Sequence, residues 1–260
     1  MVSPAVVIVT GASRGIGAAT VQRLIQAGAE VAAVARTPIA DRPETGGPYP
    51  ETGRLHPIVA DVAEPSACAR IVEETVDVFG RLNGLVNNAG ILTPLTRIAE
   101  SDPGLWRHNL DVNLLAPFYL CQRAIPHLRR TGGRIVNVSS GAAVKAVQGW
   151  SAYCVAKAAL THFTRQLAVE EPAITSVALR PGVVDTAMQT LIRRTGRQAM
   201  TAAQSTYFQK LKDKGELLSA DVPARSLAWL ALSAPTELSG QFIDYDDPRL
   251  LGASPEASGP

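Results

Sequence analysis

The sequence predicts an α/β fold: one domain built on a doubly wound, seven-stranded parallel sheet with helices on both faces. Three observations predict it. Short runs rich in Val and Ile alternate with longer segments of helical periodicity, the order expected of strand–helix–strand units. The first run leads into a glycine-rich turn and then an amphipathic helix. The chain has 260 residues, 46% of them apolar, enough for one substantial core.

Strands are expected at Ala5–Val9, Glu30–Ala35, His56–Ala60, Gly84–Asn87, Arg134–Val138, Thr175–Leu179 and Gln241–Asp244. Between them, helical periodicity predicts helices at Gly15–Ala27, Pro65–Phe79, Gly104–Arg130, Ser151–Glu170 and Asp221–Ser233. Pro172 stops the fourth, because its ring cannot continue a helix. Two stretches break the rhythm. Thr37 to Arg54 carries four prolines and three glycines and reads as a surface loop. Thr186 to Glu216 follows the carboxyl end of a strand, where open α/β sheets bind ligands, and is the candidate substrate lid. The domain is expected to span residues 1–247, and residues 248–260, with little to bury, read as a disordered tail.

Composition narrows the function. The net charge of +2 comes from 25 basic and 23 acidic residues spread along the chain, with no basic block to grip nucleic acid. Cys68, Cys121 and Cys154 form neither a metal-ligand pair nor an even disulfide set, so they read as packing residues in a reducing compartment, and no metal site is expected. The first apolar run leads straight into the glycine turn, so no signal peptide is expected, and no stretch approaches the roughly 20 apolar residues of a membrane helix. A cytoplasmic protein is the expectation.

The turn itself reads TGASRGIG, with Gly11, Ser13, Arg14, Gly15, Ile16 and Gly17. Its glycines let backbone approach a pyrophosphate, and the free N–H groups at the helix start favour negative charge. The second strand ends Ala35–Arg36, with arginine where an NAD-selecting fold places an acid, and Arg36 with Arg14 suits a 2′-phosphate. NADP(H) is therefore the expected cofactor.

Ser140 stands at the end of the fifth strand, and Tyr153 and Lys157 follow, four residues apart on one helix face. A tyrosine working near neutrality needs a shift of about 3 units from its usual pKa near 10, about 4 kcal/mol. A positive charge about 4 Å away at an effective dielectric near 20 supplies about that much. These residues, with the upstream NNAG (Asn87 to Gly90), the DVN ending in Asn113 and the pair Pro181–Gly182, closely resemble the short-chain dehydrogenase/reductase family from Ala5 to about Asp247.

The resemblance implies a Rossmann-type oxidoreductase in which Ser140 hydrogen-bonds the substrate carbonyl and Tyr153 protonates its oxygen as hydride arrives. Lys157 is implied to hold the nicotinamide ribose and depress the tyrosine pKa, and Asn113 to position a water between Lys157 and solvent. It also implies Asp61 and the Val62 backbone at the adenine, the Asn87–Gly90 backbone (Asn87, Ala89 and Gly90 foremost) along the cofactor, and Val184 and Thr186 at the carboxamide. Many relatives have a helix where this chain has its proline-rich loop. A homodimer or homotetramer, joined through the helices containing Asn113 and Tyr153, is implied as well.

Further matches resemble the sepiapterin-reductase branch: Gly149–Trp150, Lys157–Ala158–Ala159, Asp185–Thr186 with Met188–Gln189, and the ending through Asp244. They imply a carbonyl reductase acting on a ketone or vicinal dicarbonyl, pterin side chains among them, with substrate contacts from Ser140, Trp150, Tyr153, Met188 and Asp244. Asp244 is either the anchor of a pterin ring or part of a solvated acidic turn with Asp246 and Asp247. The lid residues Met188, Leu191, Ile192, Met200, Tyr207 and Phe208 either wall a small-molecule pocket or cover the core beneath. Oxidation of an alcohol in the reverse direction, and a catalytically idle NADP-binding protein, remain alternatives.

Overall fold

The computed structural model describes residues 3–39 and 53–251. Seven parallel strands form one sheet in the order β3-β2-β1-β4-β5-β6-β7. They are β1 Val6–Thr10, β2 Glu30–Ala35, β3 Leu55–Val59, β4 Gly84–Asn87, β5 Arg134–Val138, β6 Thr175–Arg180 and β7 Phe242–Asp244. The chain winds outward from β1 to β3, returns to lay β4 against β1, and winds the other way. The crevice at that reversal is where folds of this kind bind ligands.

Side-chain alternation along the strands sorts the core into two layers. Val7 and Val9 point to one face, where α1 (Gly15–Gln26) and α8 (Asp221–Ser233) cover them with Val21, Leu24, Leu227 and Leu230. Val6 and Ile8 point to the other, beneath Cys68 and Ile71 of α2 (Pro65–Phe79), Leu120 and Leu128 of α4 (Ala116–Thr131) and Leu167 of α5 (Ser151–Glu170). Thr10 ties the reversal point together: its hydroxyl accepts hydrogen bonds from the Asn88 and Ala89 N–H groups at 3.1 and 3.0 Å.

Where the sequence predicts one helix over Gly104–Arg130, the structure has three segments. They are α3 (Pro103–Leu110), a single π turn over Asp111–Leu115, and α4. Hydrophobic period cannot register one extra residue in a turn, and π turns inside helices are frequent at functional sites. Asn113 sits in this one. The expected lid is also more ordered than its composition suggests: α6 (Ala187–Thr195) and α7 (Ala202–Asp213) fold over the carboxyl end of the sheet.

The proline-rich loop lies outside the described residues over 40–52, as does the tail over 252–260. The four residues Pro248–Leu251, read from sequence as the start of that tail, form a last short helix, α9, and Leu250 is buried against the α1–α8 layer. No helix among the described residues is long and apolar enough to cross a membrane. Among them, too, no group of three or more His, Cys, Asp or Glu side chains could hold a metal ion.

Candidate active site

A cleft of about 1250 Å³ runs along the carboxyl ends of the strands, across the reversal point and under the lid. Gly11, Ser13, Arg14, Gly15 and Ile16 line one end together with Arg36, Asp61 and Val62. Arg14 caps α1 without any side-chain hydrogen bond to its first turn, which leaves those N–H groups free for an anion. Gly17 faces inward, and a Cβ there would lie 2.2 Å from the Gly11 carbonyl oxygen, so the turn closes only on glycine. The uncapped helix start beside a close-packed glycine turn fits the pyrophosphate of a nicotinamide dinucleotide. Ala89, Gly90, Pro181, Gly182, Val184 and Thr186 continue the same wall toward the middle of the cleft.

Asn87, predicted from the sequence to follow the cofactor, does not line this cleft. Its amide is buried behind the wall, donating to Asn137 Oδ1 at 2.8 Å, while Asn137 donates to the Thr164 hydroxyl at 2.9 Å. That polar chain joins β4 and β5 to α5. The next residue, Asn88, takes the lining position and donates to the Thr10 carbonyl at 2.8 Å. The NNAG run contains both asparagines, and strand alternation is the signal that separates them: Asn87 belongs to β4 and Asn88 to the turn after it.

The floor of the cleft carries Ser140, Tyr153 and Lys157. Ser140 follows β5 and accepts a hydrogen bond from the Ala142 N–H at 3.1 Å, which fixes its hydroxyl at the start of a tight turn. Tyr153 is buried, and both it and Ser140 line the cleft. One helical turn on, the Lys157 ammonium lies 5.7 Å from the tyrosine ring centre and donates to the Val138 carbonyl at 2.8 Å. Ser139 faces away, paired with the Thr161 hydroxyl at 2.7 Å, and holds β5 against α5.

Asn113 is completely buried behind the floor. Its amide donates to the Ile91 carbonyl at 2.8 Å and to the Asn109 carbonyl at 3.0 Å, and its Oδ1 accepts from the Ile91 N–H at 3.2 Å. A Cβ on Gly90 would lie 2.8 Å from Asn113 Oδ1 and 3.7 Å from Lys157 Nζ, so all three groups meet at one point. All four polar residues picked out in the sequence therefore converge, three on the cleft and Asn113 just behind it.

Their titration differs from the expectation. Burial pushes the Tyr153 phenol up to about 12, and the neighbouring Ser140 side chain offsets this only in part. Burial likewise pushes Lys157 down to about 8. The simple charge estimate made from sequence omits desolvation, which disfavours the charged form of both groups. In this state Tyr153 holds its proton across the neutral range, the condition a proton donor requires.

The far end of the cleft is apolar. Trp150 stacks on Phe208 with ring centres 5.5 Å apart and meets the Tyr153 ring edge-on at 6.1 Å. Met188, Ile192 and Tyr207 also line the space, whereas Leu191 and Met200 pack behind it. Gln148 ties the lid down by donating to the Ala199 carbonyl at 2.9 Å, and Lys212 reaches Asp185 at 2.8 Å. Asp244 lines the cleft too, but its carboxylate is engaged by Arg180 in a two-point ion pair that sequence reading missed. Only the register of β6 beside β7, which sets Arg180 opposite Asp244, brings those two together.

Comparison with known proteins agrees with this geometry. A family model described as short chain dehydrogenase matches residues 5–196. An uncharacterised oxidoreductase of Schizosaccharomyces pombe is 40% identical over 241 residues, covering 92% of this chain and 96% of that protein. A benzil reductase of Saccharomyces cerevisiae, described as (S)-benzoin forming, is 40% identical over 257 residues, covering 94% of this chain and 97% of its own. The crystal structure of a short-chain dehydrogenase/reductase from the same yeast has a TM-score of 0.88 at 36% identity and covers 96% of this chain and 100% of its own. With the sheet order, the glycine turn and the Ser–Tyr–Lys floor in place, the chain belongs to the short-chain dehydrogenase family of NAD(P)-binding oxidoreductases.

Proposed function

We propose that this protein reduces ketones, vicinal diketones foremost, using NADPH as hydride source and Tyr153 as general acid. The observation that carries the reading is a buried Tyr153 beside Ser140 on the floor of a cleft with an apolar far end, with the Lys157 ammonium 5.7 Å from its ring centre. The nicotinamide, when bound, supplies the hydride. Ser140 orients the carbonyl oxygen by hydrogen bonding, and Tyr153 gives that oxygen its proton as negative charge develops there. Lys157 and Asn113 act from behind: the ammonium favours the phenolate left after proton transfer, and Asn113 holds the Ile91 backbone next to Gly90 and Lys157. A water between Lys157 and solvent at Asn113 is part of this reading.

NADPH is preferred over NADH in the proposal because Arg36 follows β2 directly, Arg14 lines the same end, and no acidic residue ends the strand. Asp61 and Val62 would bound the adenine, and Val184 and Thr186 the carboxamide. Diketones rank ahead of pterin side chains on two grounds. The relatives include benzil reductases, and the carboxylate that would anchor a pterin ring is already held by Arg180. Self-association through α4 and α5 is also proposed, supported by the exposure of Phe118, Val155 and Val169 on those helices.

The test is the fall in reduced-nicotinamide absorbance with a panel of diaryl and dialkyl 1,2-diketones, run with NADPH and NADH in parallel. Diketone-dependent oxidation of NADPH, faster than of NADH, is expected. NADPH binding without turnover of any carbonyl would leave the idle-protein alternative standing, and turnover of alcohols with NADP⁺ alone would reverse the assigned direction. Light scattering of the eluting protein gives the subunit number.

A further inference from the structure

Tryptophan, tyrosine and phenylalanine make up only 5% of this chain, yet four of them stand in one run along the cleft wall. The run starts at Tyr153 on the floor, which Trp150 meets edge-on with ring centres 6.1 Å apart. Trp150 then stacks on Phe208 at 5.5 Å with the ring planes 24° apart, and Phe208 meets Tyr207 edge-on at 5.2 Å. The two outer rings belong to the lid helix α7, and all four residues line the cleft. The run ends in the open: Tyr207 is 52% exposed, and Phe208 is only partly buried. Apolar rings left in water beside a ligand cleft are stabilised when another apolar surface covers them. An aromatic ring covers them best, because faces and edges of such rings attract one another beyond the area they bury.

We propose that Phe208 and Tyr207 form an aryl subsite: the aromatic group on the ketone lies against these two rings while Ser140 and Tyr153 engage the reacting carbonyl. Phe208, the ring that joins Trp150 to the rim, is the specificity-determining residue, and Tyr207 flanks it. This inference rests on the ketone-reductase reading above and narrows it to ketones that carry an aromatic ring. A saturated ring of similar volume buries comparable apolar area in the same place, but it lacks the quadrupole and forgoes the ring–ring attraction. Both residues belong to the lid, whereas the groups assigned to the proton transfer sit at the end of β5 and on α5. The subsite therefore acts on which ketone is held.

The probes are benzil and dicyclohexylethanedione, vicinal diketones that differ in the aromaticity of their rings. Conjugation alters the intrinsic reactivity of benzil, so the quantity read is the benzil-to-dicyclohexyl ratio of kcat/KM in each variant, relative to that ratio in the unmodified enzyme. Phe208→Leu should lower it about fivefold, equivalent to about 1 kcal/mol for one aromatic pair, through a higher KM for benzil. Phe208→Tyr, which keeps a ring, should leave the ratio where it was. Tyr207→Leu, at the exposed end, should lower it about twofold, and it decides the question where Phe208→Leu does not fold. Equal losses on both diketones in the leucine variants would overturn the aryl subsite and leave the ketone reading intact. So would an unmodified enzyme that reduces dicyclohexylethanedione but not benzil. Failure of the unmodified enzyme to reduce any ketone overturns both.

Discussion

The floor and the lid wall of the cleft are built on opposite principles. On the floor, Asn113, Lys157 and Ser140 are each fixed by hydrogen bonds with backbone groups: the Ile91 and Asn109 carbonyls, the Val138 carbonyl and the Ala142 N–H. Backbone partners persist when neighbouring side chains change, so this arrangement is tied to the fold. The lid wall is held by ring packing and by half-exposed ion pairs such as Lys212 with Asp185, and among the described residues it retains buried polar atoms without partners at Trp150, Gln189 and Arg193. The difference teaches that the residues of the proposed reaction are anchored to backbone, whereas the proposed substrate wall is held by side chains.

The largest expected effect comes from breaking the floor chemically. Tyr153→Phe should slow hydride transfer by about 10² to 10⁴ in single-turnover measurements, the range for a positioned general acid, while cofactor affinity changes little. A near-normal rate in a folded variant would transfer the acid role elsewhere and erase the contrast between floor and wall.

Lys157→Met tests what burial on the floor costs. Lowering the lysine from 10.5 to about 8 means that the folded state favours neutral lysine, while the unfolded chain binds the extra proton between those values. The charged lysine thus destabilises the folded protein by about 3 kcal/mol below pH 8, and this penalty disappears as pH rises toward 10.5. Without cofactor, the variant should melt at higher temperature than the unmodified protein at pH 7, with the gap closing by pH 10. A gap that stays the same between pH 7 and pH 10 would mean that the Val138 carbonyl fully compensates the buried charge.

Arg36→Asp addresses the cofactor end. It should lower NADPH affinity by about tenfold or more and leave NADH affinity equal or better, read by fluorescence titration of each reduced cofactor. Equal affinity of the unmodified protein for both cofactors would remove the arginine from recognition. The smallest effect is expected at Asp244. Its pair with Arg180 is partly exposed, and such pairs contribute about 1 kcal/mol or less. Asp244→Asn should therefore leave benzil turnover within about twofold. A large loss there would move part of the chemistry onto the wall.

Much of this protein was legible before any coordinates. Strand–helix alternation and the glycine turn determined the sheet and its cofactor end, because side-chain period and backbone freedom are local properties. Ser140, Tyr153 and Lys157 were legible because helical spacing puts the latter two on one face and the strand end presents the first. The tertiary structure alone decided what depends on surroundings. It turned Asn87 into the core and Asn88 toward the cleft, set a π turn at Asn113, and paired Arg180 with Asp244 across neighbouring strands. It also raised Tyr153 where an isolated Tyr–Lys pair implies lowering, since desolvation is a property of everything packed around a group and of no residue in its own segment.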